Sequence, residues 1–204
     1  MNKIITIGRE LGSGGRELGK RLAEKRGYAY YDSEIISQIA SKTELAESYV
    51  KHVVERSPIV SFPITIGHSF YVHSANLEQT TNIYVEQSNI ISEMADKSDC
   101  VIVGRCADYI LKDRNPFRVF VYASPNARIE RCRKKATENE DISDRQLWRN
   151  IRRVDKHRAK YYMFYTGRKW GDKANYDVCI NTTNVSIKEA AEALSMIIKA
   201  QESE

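Results

Sequence analysis

The sequence predicts a three-layer α/β domain, with a five-stranded parallel sheet covered by helices on both faces. Three observations predict it. Short β-branched strands alternate with helical segments. A glycine-rich turn follows the first strand directly. The apolar and charged shares, 42% and 29%, are those of a globular chain. A length of 204 residues suits one domain with a sizeable core.

Residues 3–7 (KIITI) read as the first buried strand, ending at Gly8. A helix then runs from Gly15 or Arg16 to about Lys25, with Leu18, Leu22 and Ala23 on one face and Gly27 as its stop. YAYY (28–31) is the second strand, after which Asp32 or Ser33 can cap a helix that buries Ile35, Ile36 and Ile39. Residues 44–57 read as helix until Pro58. The stretch 58–74 mixes β-branched, aromatic and turn residues and receives no assignment. A long helix over about 76–97 is expected to bury Ile83, Ile90, Ile91 and Met94. CVIV (100–103) is the third strand, with a loop and short helix behind it. RVFVYAS (118–124) is the fourth, and Pro125 suits the first turn of the next helix. Helices follow over about 126–138 and 143–165, then a last strand, DVCIN (177–181), and a closing helix at 186–200.

Several function classes are excluded at this level. No run of about 18 apolar residues is present, so no membrane partner is expected. The N-terminus has no signal-peptide pattern, and Cys100, Cys106, Cys132 and Cys179 show no CxxC spacing. Reduced thiols and a cytoplasmic location are therefore the expectation. His52, His68, His73 and His157 lack ligand spacing. Cys106 reads as a packed thiol, and Asp108 as a structural residue at a helix start.

Gly12, Ser13, Gly14 and Gly15 lie between a strand and a helix, where a loop can bring backbone N–H groups against a phosphate. The common signature, GxxxxGK[ST], places a lysine on the outer phosphates and a hydroxyl on magnesium. Here Gly15 and Arg16 occupy that neighbourhood and Glu17 follows. Arg16 can stand in for the lysine through its bidentate fork. Glu17 suits a helix-start acid or an outer ligand to magnesium. A tight strand-to-helix turn with no ligand is the competing reading.

Residues 126–173 carry 15 Lys/Arg against 7 Asp/Glu, a surplus of eight in a chain whose net charge is +5. Arg149, Arg152, Arg153, Lys156 and Lys160 recur at three- and four-residue steps and share one helical face. Such a stripe can close over a phosphoryl donor, or it can be a solvated face. Asp155 and Arg158, three apart, can pair with each other. YYMFYTGRKW (161–170) reads as core or hinge rather than a stacking surface.

Taken together, ITIGRELGSGGRELGKRLAEKRGYAYYDSE, CVIVGRCADYILKD, VFVYASPNARIERC, VDKHRAKYYMFYTGRKWGDKANYDVCINT and the SIKEAAEAL tail resemble the cytidylate kinase-like family. This is a branch near the cytidylate kinases. The resemblance implies a three-layer P-loop kinase fold with a helical basic lid. It also implies one domain over residues 1–204, whose core is 1–41, 99–125 and 174–204. The substrate-binding insert then spans about 42–98 and the lid about 126–173.

The implied activity is phosphoryl transfer from ATP with Mg2+ to a small acceptor, a nucleoside monophosphate such as CMP. The alternatives are a same-fold kinase for another small molecule, or a nucleotide-binding sensor without catalysis. A nucleic-acid partner is disfavoured. The expected nucleotide-binding residues are Gly12, Ser13, Gly14, Gly15, Arg16 and Glu17. The expected substrate-binding residues are Arg105 and Asp32, and the catalytic residues Arg16, Arg149, Arg153 and Asp32. Asp32 matches an acid of the family's YxD region, so it either orients magnesium and the phosphate or caps its helix. The chain departs from the cytidylate kinases at three places: the loop lysine, Val103 and Cys106, the last two standing where aspartates are expected. An arginine of the first substrate helix also has no match among 35–38. These departures leave cytosine selectivity unsupported.

Overall fold

The computed structural model describes residues 2–55, 70–135 and 142–202. Five strands form one parallel sheet: β1 (Ile4–Arg9), β2 (Ala29–Tyr31), β3 (Cys100–Val103), β4 (Phe117–Tyr122) and β5 (Val178–Asn181). Their order is β2-β3-β1-β4-β5, with Ile5 in register with Val101 on one side and Phe117 on the other. β1 is central and buried on both faces, as its unbroken β-branched run requires. The connection leaving β1 runs to one edge of the sheet and the connection leaving β4 to the other. The carboxyl ends of β1, β3 and β4 therefore frame a crevice, the usual ligand position in this architecture.

On one face lie α1 (Gly15–Arg26) and α8 (Ile187–Gln201), which bury Leu18, Leu22, Leu194 and Ile198 against Ile7 and Val119. On the other lie α2 (Glu34–Thr43), α3 (Glu47–Glu55), α4 (Phe70–Lys97) and the single turn α5 (Ala107–Ile110). Their core contains Ile35, Ile39, Ile83, Ile90, Ile91 and Met94, the residues whose spacing predicts burial. α6 (Pro125–Arg133) and α7 (Asp144–Thr166) pack on each other, and α7 adds Tyr161 and Tyr162 to this second core.

The helix ends follow local chemistry. Gly27 closes α1 at φ 69°, and Pro125 opens α6 behind the Ser124 cap. At α2 the expected cap is absent: Ser33 takes the N-cap position without a side-chain bond, and Asp32 is directed elsewhere. α4 begins at Phe70, inside the stretch left unassigned from sequence; Pro58 and the rest of 56–69 lie outside the described residues. Among the described residues no helix is long and apolar enough to cross a membrane.

α7 carries groups that meet the site, so its start matters. Ser143 and Gln146 form a reciprocal capping box there, with Ser143 N–H donating to Gln146 Oε1 at 2.9 Å. Ser143→Ala should lower the unfolding free energy by about 1 kcal/mol. Urea unfolding checks this, and an unchanged midpoint would show that the box does not hold the helix.

Candidate functional site

β1 ends at Arg9 and α1 begins at Gly15, so the glycine loop spans the short gap between them. Gly12 and Gly14 adopt left-handed backbone at φ 80° and 84°. Both also pack where no side chain fits: a Cβ would lie 2.7 Å from the Arg128 carbonyl at Gly12 and 2.3 Å from Ile187 Cδ1 at Gly14. The loop is thus seated on α6 and the start of α8.

Its carbonyls are tied down from behind. Arg128 Nε donates to Leu11 O at 2.7 Å, and Thr182 Oγ1 donates to Ser13 O at 2.7 Å. Arg131 reaches Ser13 O at 3.4 Å. The Leu11 N–H donates to Asp155 Oδ1 at 2.9 Å. Ser13 is fully buried, and both its hydroxyl and its N–H donate to Glu10 O. Ser13 therefore shapes the loop rather than facing the crevice. The first-turn N–H groups of α1 have no intrahelical acceptor, which suits them to an anion.

Beneath this loop sits a cluster of guanidinium groups around one carboxylate. Arg16 Nε lies 2.7 Å from Asp32 Oδ2, and Arg9 Nη2 lies 3.7 Å from Asp32 Oδ1. Asp32 is 6% exposed and Arg9 8%. Neither Arg9 Nε nor Asp32 Oδ1 has a hydrogen-bond partner. Burial, then Arg158, pulls the Arg9 guanidinium down from its ordinary value, with Asp32 opposing. Arg158 Nη1 donates to Arg9 O at 3.3 Å. Arg105 follows β3 in left-handed backbone at φ 60° and is buried, its carbonyl accepting from Gln87 Nε2 at 2.9 Å.

A cavity of about 50 Å³ adjoins the cluster, lined by Arg9, Arg105, Arg158, Asp108, Tyr162 and Trp170 among others. Tyr162 donates to Asp108 Oδ2 at 2.6 Å on its wall. Burial pushes the Cys106 thiol well up, in keeping with a packed cysteine.

The structure brings together Gly12–Gly15, Arg16, Asp32 and Arg105, the groups singled out from the sequence. Arg149 and Arg153 lie on the exposed face of α7, where Arg153 donates to Asn150 at 2.8 Å. Among the described residues no contact joins these two to the cluster. Glu17 pairs with Arg21 one turn along, at 2.9 Å. No group of three or more His, Cys, Asp or Glu among the described residues could hold a metal ion. Asp32 Oδ1, 3.7 Å from Arg9 Nη2 and without a hydrogen-bond partner, is a carboxylate oxygen that could serve a phosphate-borne magnesium, which needs few protein ligands.

Sequence reasoning missed Arg9 and Arg158. Ending the first strand at Gly8 left Arg9 in a loop, although strand pairing continues through it to Val121. Arg158 does pair with Asp155, at 3.6 Å, but Asp155 also bonds Arg128 and the Leu11 N–H.

Two tests follow from this geometry. Asp155→Ala leaves Arg128 buried without its closest carboxylate, and should cost about 3 kcal/mol in chemical unfolding. A loss under half of that would mean Glu10, 3.0 Å from Arg128, suffices alone. The second concerns Asp108, whose carboxyl burial raises from the ordinary 3.8 despite the Tyr162 bond. A raised carboxyl holds its proton longer in the folded state, so its contribution declines as pH rises from that value. Asp108→Asn should remove the decline, so as pH rises above about 4 the variant should lose less stability than wild type. Parallel curves would refute it.

No curated protein matches the chain. A solved structure of an uncharacterized protein from Eubacterium ventriosum is 28% identical, covers 99% of each chain and has a TM-score of 0.67. Shikimate kinases from Bacteroides thetaiotaomicron and Acinetobacter baumannii, the latter in complex with shikimate, share the fold at TM-scores of 0.58 and 0.55. Their identities are 16% and 15%, with coverage of 98% and 100% of this chain and 99% and 96% of theirs. The pattern of one family matches residues 4–184, a span that holds the glycine loop, Asp32, Arg105 and the whole of α7. On that match, and with the P-loop kinase fold described above, the chain belongs to the cytidylate kinase-like family.

Proposed function

We propose that this protein transfers the γ-phosphoryl group of ATP·Mg to a small anionic acceptor. One observation carries the reading: a buried guanidinium, Arg9, lies between the glycine loop and the Arg105 cavity with only a shared carboxylate 3.7 Å away. A buried charge so weakly paired is costly unless an anion completes it. In-line phosphoryl transfer asks the protein for positioning and charge, and this site offers both.

The donor phosphates rest on the N–H groups of Gly12, Gly14 and Gly15 and the start of α1, with Arg16 at the mouth, while Ser13, whose N–H donates to Glu10 O, shapes the loop. The acceptor's anionic group faces Arg105. Asp32 would hold magnesium or accept the acceptor's proton. When bound, magnesium would neutralise charge on the phosphate oxygens. Arg149 and Arg153 serve as the outer cations that close over the donor.

The acceptor is a compact anion or a nucleoside monophosphate such as CMP. The cavity is small, about 50 Å³, and Arg9, Arg105 and Arg158 line it, which suits an anionic group. Val103 and Cys106 offer no carboxylate to a cytosine. This favours an acceptor other than CMP within the same reaction class.

The test is ADP release from ATP·Mg with a panel of nucleoside monophosphates and small hydroxy acids. Acceptor-dependent turnover should appear with at least one compound and fall roughly 100-fold or more in Arg105→Ala. Measurable ATP binding with no turnover on any acceptor would replace this reading with a nucleotide sensor.

A further inference from the structure

We propose that Arg9 is the inner phosphate-gripping cation of the loop, so that arginine and glycine have exchanged places in the signature. The inference deepens the phosphoryl-transfer reading and rests on it. Gly14 is the N-cap of α1 and Gly15 its first residue, which sets the register against GxxxxGK[ST]. Arg9 then stands at the first glycine, Gly15 at the lysine, and Arg16 at the hydroxyl residue.

The geometry explains both exchanges at once. A Cβ on Gly15 would lie 2.5 Å from Arg9 Cβ, 3.1 Å from Arg9 Cγ and 3.3 Å from Val121 Cβ. Gly15 has ordinary helical backbone, so its missing side chain answers a close approach and not a positive φ. Further along, a Cβ on Gly104 would lie 1.9 Å from Arg9 Nη1 and 2.9 Å from Arg9 Cζ. The stem of Arg9 therefore passes Gly15 and its head ends against Gly104, next to Arg105. A lysine at position 15 has no room while Arg9 is present.

Arg9 also carries an unmet donor. Its side chain is nine-tenths buried, and its Nε has no hydrogen-bond partner. Arg16 is half exposed and already 2.7 Å from Asp32. The planar fork of Arg9 suits two oxygens of a polyphosphate held over the loop. Arg16 is then the outer cation, oriented by Asp32.

The experiment measures ATP·Mg affinity by calorimetry, and thermal unfolding, for wild type, Arg9→Met, Arg9→Gly, Gly15→Lys and the exchange variant Arg9→Gly with Gly15→Lys. Arg9→Met should bind ATP at least tenfold more weakly while staying folded. The exchange variant should recover affinity over Arg9→Gly, because its lysine enters the vacated space. Gly15→Lys alone should lower the Tm, and adding Arg9→Gly should restore it.

Wild-type affinity in Arg9→Met overturns the assignment, as does an exchange variant that binds no better than Arg9→Gly. Equal Tm values for Gly15→Lys with and without Arg9 overturn the steric claim, even where Arg9→Met fails to fold. Failure of wild type itself to bind ATP overturns the phosphoryl-transfer reading, and this assignment with it.

Discussion

Asp155 bonds in three directions, and the shape of the loop depends on it. Its Oδ1 accepts from the Leu11 N–H at 2.9 Å, its Oδ2 holds Arg128, and Arg158 lies 3.6 Å away. Arg128 in turn bonds Leu11 O at 2.7 Å, so one residue of the loop is held at both its N–H and its carbonyl. Trp148 covers this arginine, its ring centroid 5.5 Å from the guanidinium carbon, which limits the water that could compete. A glycine-rich loop loses much conformational freedom on folding. Charge-assisted bonds from two helices supply the constraint that the loop's own side chains lack.

Most of the fold was legible because it is written in periodicity. The β-branched runs of β1, β3, β4 and β5 and the Ile83–Met94 face of α4 announce burial residue by residue, and each is buried or lines the sheet. The Gly27 stop and Pro125 in the first turn of α6 are equally local signals. In the site, the glycine loop, Arg16, Asp32 and Arg105 could be named from motif and resemblance. Arg9, Arg158 and the Arg128–Asp155 pair could not. Their roles depend on contacts between residues 23 to 149 positions apart, as between Arg9 and Asp32 or Arg158 and the Arg9 carbonyl. No spacing rule reaches that far. Asp32 was legible as an important acid but not in its partner, since capping and ion pairing predict the same residue type.

α7 carries its charges on two kinds of face. The face that the spacing picks out, Arg149, Arg152, Arg153, Lys156 and Lys160, is exposed throughout. The residues that meet the site, Asp155, Arg158, Tyr161 and Tyr162, lie on the other faces of the same helix, mixed with apolar positions. A polar residue among apolar neighbours looks like a lapse in the pattern. It is there that burial makes a charge consequential, because the surroundings are less polarisable than water.

A buried arginine at the end of β1 is tolerated for a related reason. Desolvating a guanidinium is expensive, and Asp32, shared with Arg16, returns only part of that cost. Two glycines, Gly15 and Gly104, give up their side chains to admit it. An interaction that disfavours the empty protein is sustained when a ligand that binds the folded form alone makes good the difference. Arg9 is therefore better understood as one half of an ion pair than as part of the core. On the proposed function, the other half is the anion held by the loop, the α1 amides and Arg9 together.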